Sequence, residues 1–143
     1  MALFGKTFLI VASVIMVIGW LTPAEKNYLM IVGQKLAVEI ADTDAARARG
    51  LSGRAALGAN QGLLFIFDAP AEYSFWMKEM NFPIDIIWID EHWRVADISK
   101  NVLPESFPQS FQPARPVKYV LEVNVNWAEK NNLQIGESVS LNK

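Results

Sequence analysis

Trp76 and Lys78 lie in the run YSFWMK at 73–78, whose composition favours an extended strand. Side chains of a strand alternate between faces, so a stacking ring and a cation would share one side while Phe75 and Met77 share the other. Asp85 follows one loop later, and Arg47 and Arg54 stand on an earlier helix-and-loop segment. Gathered in one pocket, these residues would present an aromatic floor, cationic donors and one carboxylate. That inventory suits a small polar or anionic ligand, such as a sugar or a carboxylate-bearing compound, with arginine giving bidentate recognition. A plainer use stands beside it: Asp85 neutralises Lys78 or an arginine in a partly buried ion pair, and Trp76 fills space.

Catalytic arrangements find less support. Asp85 and Glu122 could form the carboxylate pair of a glycosidase, whose separation sets the stereochemical course, but sequence spacing does not fix that separation. His92, the single histidine, sits beside Glu91 at an expected hairpin tip, where a base is hard to bury and align for Ser/His/Asp chemistry. Asp85, Asp90, Glu91 and Asp97 offer hard oxygen ligands without the spacing of a calcium loop, so solvated edge charge accounts for them. With no cysteine and one histidine, disulfides, thiolate nucleophiles and the usual zinc sites are excluded or improbable, and neither a metal nor a cofactor is expected.

The elements that would position these residues come from hydrophobic patterning. KLAVEIA at 35–41 alternates and reads as a half-buried strand. Asp42 or Thr43 can cap a short helix through Arg47, which Gly50 would end. GLLFIF at 62–67 is a continuous apolar run bounded by Gly62 and Pro70, which predicts a strand buried on both faces. IIWID and RVADIS flank Glu91-His92-Trp93 as a hairpin, and four of the seven prolines fall between 101 and 116, a long loop of the kind that carries function. VKYVLEV, a short helix capped by Asn124 or Asn126, and a closing strand complete the chain. The fold class expected is mainly β, an antiparallel or mixed sandwich or barrel with one or two short helices.

Residues 7–24 form 18 consecutive uncharged positions, with FLIVASVIMVIGWL at their centre. At about 1.5 Å per residue such a stretch just spans the hydrocarbon of a bilayer. Lys6 precedes it, so the positive-inside tendency leaves the N-terminus cytoplasmic and exports the remainder. A cleavable signal peptide competes, because Thr22-Pro23-Ala24 offers small residues where a signal peptidase cuts. The expected division is an anchor or uncleaved signal at 1–24, a tether at 25–34 and a β domain at 35–143. Residues after 24 carry 12 basic and 15 acidic side chains, and that acidic balance without a basic stripe argues against nucleic acid as a partner.

The blocks TDAARARGLSGRAALGANQGLLFIF, FWMKEMNFPIDIIWID and KYVLEVN, in that order, closely resemble the bacterial and archaeal family called domain of unknown function 192. The resemblance runs from about Leu36 to Leu141 and implies a jelly-roll-like sandwich. It matches Arg47, Gly50, Arg54, Trp76, Lys78, Pro83, Asp85 and Glu122 to the family's pattern and supplies no role for them. Glu79-Met80 and Gly62-Leu63 depart from that pattern without threatening the fold. Lacking a recognisable nucleophile, base or metal set, the sequence favours binding over catalysis. The leading expectation is a membrane-tethered, exported domain in the inner membrane that docks on a larger membrane protein complex, with Trp93, Phe107 and Phe111 as candidate partner surface. The alternative is a binder of a small polar or carbohydrate ligand through Arg47, Arg54, Trp76, Lys78, Asp85 and Glu122, with a hydrolase using Asp85 and Glu122 ranked below both.

Overall fold

A computed structural model describes residues 27–142. The expected bilayer segment at 7–24 lies outside them, and no helix among the described residues is long and apolar enough to cross a membrane. The first element is a hairpin in the stretch expected to be a tether. Strands β1 (Tyr28–Ile31) and β2 (Gln34–Ala41) pair antiparallel across Val32 and Gly33, both at positive φ. Such two-residue turns match the twist of the flanking strands. Uniformly apolar YLMI hides the in-out alternation of its burial, and valine is an uncommon residue at positive φ, so the hairpin left little trace in the sequence.

Helix α1 (Asp44–Arg49) follows, with Thr43 as the cap: its Oγ1 accepts from the Ala46 N–H at 3.1 Å. Gly50 ends the helix at φ 50° and ψ −134°, a region open to glycine, though not the left-handed helical one. The 62–67 run forms the centre of β3 (Gln61–Ala71), which lies parallel to β2. Strand β4 is only Phe75–Trp76, yet the flanking residues keep the expected alternation, with Trp76 and Lys78 outward and Met77 buried. The hairpin of β5 (Ile84–Ile89) and β6 (Val95–Val102) forms as expected. The proline-rich loop contains a 3₁₀ turn and β7 (Ser110–Phe111), which pairs with β4. Strand β8 (Val117–Asn124), helix α2 (Trp127–Lys130) and β9 (Val139–Asn142) complete the order.

Seven strands form one mixed sheet in the order β6-β5-β8-β3-β2-β1-β9. It curls until its two edges meet at one end, where the Val139 N–H donates to the Trp93 carbonyl and the Val95 N–H to the Glu137 carbonyl, both at 2.9 Å. The mainly β, mixed class therefore holds, while the architecture is a half-barrel with a two-stranded flap instead of two stacked sheets. Both faces of the sheet are covered. Every strand of this seven-stranded sheet contributes to the inner cluster, among them Leu36, Leu64, Ile87 and Leu121, which Trp127 and Ala128 of α2 close off. The outer face carries Leu63, Phe65, Ile86, Trp88 and Val120 under Leu51, Leu57 and Met77. This double cover explains why β5 reads as apolar at five of six positions.

Candidate functional site

On the outer face, β2, β3 and β8 align Glu39, Leu63 and Glu122 in one row, since Glu39 pairs with Leu63 and Leu63 with Glu122. Residues directly paired across a sheet share a face, so both carboxyls rise on the same side. Their environments differ sharply. Glu39 is exposed and held by Arg54, whose Nη1 and Nη2 donate to its two carboxylate oxygens at 2.7 and 2.8 Å. That fork of hydrogen bonds holds the Glu39 carboxyl below its ordinary value, partly offset by burial, and raises Arg54 in turn. Glu122 is only 6% exposed, and its Oε2 has no hydrogen-bond partner among the described residues. Burial pushes its carboxyl up to about 8, against a weaker opposing pull from the Arg54 charge, so near neutral pH it is protonated.

Glu122 lines a cavity of about 250 Å³. One wall is the end of α1 and the loop after it, from Arg47 through Arg49, Gly50 and Ser52. The other is aromatic: Phe65, Phe67, Tyr73, Phe75 and Trp76. These rings brace one another, with Phe67 stacked on Tyr73 and Phe75 edge-on to both Phe65 and Trp88. Trp76 is 56% exposed and meets Phe107 edge to face at 5.5 Å. Arg47 lines the cavity but is already committed: Nη1 donates to the carbonyls of Asp42 and Ile66 at 2.8 and 2.7 Å, and Nη2 to Asp44. It clamps α1 onto the middle of β3, over the Phe67 ring.

Three of the six ligand-site residues expected from sequence therefore line the cavity: Arg47, Trp76 and Glu122. Arg54 stands behind it, engaged with Glu39. Lys78 does not line it, although its Nζ lies 5.8 Å from the Trp76 ring centroid. Asp85 belongs to the opposite face of the sheet, because it pairs with Val123 while the next residue, Ile86, pairs with Glu122. Fully buried there, its Oδ1 accepts from the Asn101 N–H and its Oδ2 from the Ala128 N–H in the first turn of α2, both at 2.9 Å. It is neither a pocket carboxylate nor an ion-pair partner of Lys78, and the sheet separates it from Glu122, which removes the paired-carboxylate arrangement.

Of the candidate partner surface, Trp93 is half-buried and stacked on Tyr119, and Phe111 packs against the outer core. Phe107 is exposed, in company with Leu103 and Trp76. His92 is exposed beside Glu91, as a hairpin tip requires. No group of acidic, histidine or cysteine residues among the described residues could hold a metal ion. Sequence reasoning missed Glu39, which alternation marked only as a solvated strand residue. It named Glu122 without its setting, although one glutamate inside the otherwise apolar VLEV was the available signal.

A half-barrel with a small aromatic-walled cavity over one unpartnered, buried carboxyl is the class of domain these features define. The chain belongs to the domain of unknown function 192 family, whose profile, described as an uncharacterized ACR, matches residues 28–141. Two crystal structures share the fold. A protein of unknown function from Novosphingobium aromaticivorans DSM 12444 is 30% identical with a TM-score of 0.75, over 79% of this chain and 83% of that one. A candidate transcription regulator from Sinorhizobium meliloti 1021 is 26% identical with a TM-score of 0.74, over 80% and 91% respectively. No curated protein matches the chain.

Proposed function

We propose that this is a binding domain that takes a small ligand in the cavity between α1 and the β3–β4 aromatics, with Glu122 as its polar floor. The observation that carries this reading is the unpartnered Glu122 Oε2. An isolated polar group in such a place costs about 1–3 kcal/mol, and a ligand atom reaching it would recover that loss. Pre-formed apolar pockets with few convergent polar groups are the usual form of small-molecule sites. The acidic body makes nucleic acid a poor fit for the same cavity. In this account the run at 7–24 tethers the domain outside the inner membrane.

The test is a solution NMR screen of the full chain in detergent with benzoate, acetate, glycine and glucose. Saturable shifts at both Glu122 and the Trp76 indole with one or more of these probes are expected. Silence at both positions with all four would refute the reading. The exposed trio of Trp76, Leu103 and Phe107 favours a second reading, docking on a larger membrane protein. Gentle detergent extraction and sizing test that one: a co-purifying partner supports it, and a sharp peak of monomer plus micelle alone opposes it.

A further inference from the structure

Resting on that reading of the cavity, we infer that its ligand is a small organic anion, a carboxylate carried on an apolar, ring-sized body. Glu122 shares its cavity with few charged groups. From α1 come Arg47 and Arg49, both in the cavity wall. The loop after α1 adds Arg54, and β2 adds Glu39, whose charge is spent on Arg54. Tyr73 is the titratable group on the β3–β4 side, while β5 contributes Ile86 and Trp88, which do not titrate. Among the described residues, Glu122 is the only acidic one in the lining. With its carboxyl neutral and the Arg47 charge paired with Asp44, the lining leaves one uncompensated charge among the described residues, the positive Arg49, which selects for an anion.

The polar groups are as telling by their scarcity. Arg47 has three of its five N–H donors held by Asp42, Asp44 and Ile66, which fixes its guanidinium over the Phe67 ring. Ser52 donates its hydroxyl to the Lys78 carbonyl at 2.9 Å. Glu122 and Ser74 remain, with Arg49 at the rim in none of the described ion pairs. A sugar ring brings several hydroxyls, and most would be stranded against five aromatic side chains, each stranded hydroxyl opposing binding. A single carboxylate needs only what is there: the Glu122 O–H as a charge-assisted donor and the Arg49 guanidinium as counter-charge. The remaining volume is walled by rings and suits an apolar body.

The experiment is calorimetric titration of the full chain in detergent with benzoate, benzyl alcohol and methyl β-glucoside, with the Trp76 indole and Glu122 followed by NMR. Benzoate is expected to bind about tenfold or more tighter than benzyl alcohol, and the glucoside not to bind. Benzoate affinity should fall about tenfold between roughly pH 6.5 and roughly pH 9.5, as Glu122 ionises and repels a second carboxylate. Glu122→Gln keeps a donor and should keep benzoate binding while flattening that fall. Arg49→Gln should weaken benzoate and leave benzyl alcohol unchanged. If benzyl alcohol or the glucoside binds as well as benzoate and shifts Trp76 and Glu122, the ligand class is wrong and the site stands. If no probe moves either residue, the cavity reading and this inference fail together. Benzoate binding that ignores pH or leaves Trp76 still overturns the inference alone.

Discussion

Asp85 and Glu122 lie one register step apart on the paired strands β5 and β8, and their carboxyls leave the sheet on opposite faces. One step in a strand reverses the side-chain direction, and here it separates two buried acids into different tasks. Asp85 satisfies two backbone N–H groups beneath α2. Glu122 satisfies nothing among the described residues and opens onto the cavity. The half-barrel thus keeps one acid for its own architecture and leaves the other for chemistry brought from outside.

Asp85→Ala should destabilise the domain by about 2–4 kcal/mol, because it strands two N–H groups, one of them in the first turn of α2. Asp85→Asn keeps one acceptor and should lose roughly half as much. Denaturant unfolding measures both, and probe binding in the cavity of the folded fraction should be unchanged.

Glu122→Gln tests the energetic side of the same assignment. The Glu122 carboxyl titrates at about 8 in the folded chain against 4.5 as an ordinary glutamate, so between these values the folded state holds the extra proton. Stability from this group is full below about pH 4.5, declines as pH rises, and levels off above about 8. Glu122→Gln should remove that decline and leave the variant more stable than the parent at pH 8 and above, by on the order of a few kcal/mol. Unfolding midpoints across pH check this, and parallel profiles would speak against it.

Glu39→Gln probes the shared arginine. The fork to Glu39 keeps Arg54 away from direct pairing with Glu122. Neutralising Glu39 weakens that hold, so Arg54 should turn toward Glu122 and favour its carboxylate form. Isotope-edited infrared spectra near pH 7 should then show the protonated carboxyl band reduced in the variant, and an unchanged band would show that Glu39 has no such hold.

Gly50→Ala should destabilise by about 1–3 kcal/mol, since φ 50° with ψ −134° is strained for any residue with a side chain. The added methyl would sit 3.4 Å from the Phe65 ring, narrowing the cavity as well. Thermal unfolding and probe affinity should both fall, and a neutral result in both would contradict the assigned backbone geometry.

Much of the frame was legible because local physics determined it. The unbroken apolar run at 62–67 specified a doubly buried strand, and the turn at Glu91-His92-Trp93 specified the β5–β6 hairpin. Trp76 and Lys78 shared a face because strand alternation requires it, even where hydrogen bonding ends after two residues. The site was less legible, since it depends on register between distant strands. Nothing local to Asp85 reveals that its partner on β8 is Val123 and not Glu122. Glu39 looked like solvated strand charge because its role comes from Arg54, 15 residues away. The hairpin before Leu36 was hidden by a uniformly apolar strand and a valine at positive φ.

The most direct measurement is the carboxyl-carbon NMR titration of Glu122 in the unliganded, full-length chain. A midpoint near 8 is the result this account requires. A midpoint in the ordinary glutamate range near 4.5 would mean that Glu122 is solvated or paired, and the neutral floor on which the proposed ligand rests would not exist.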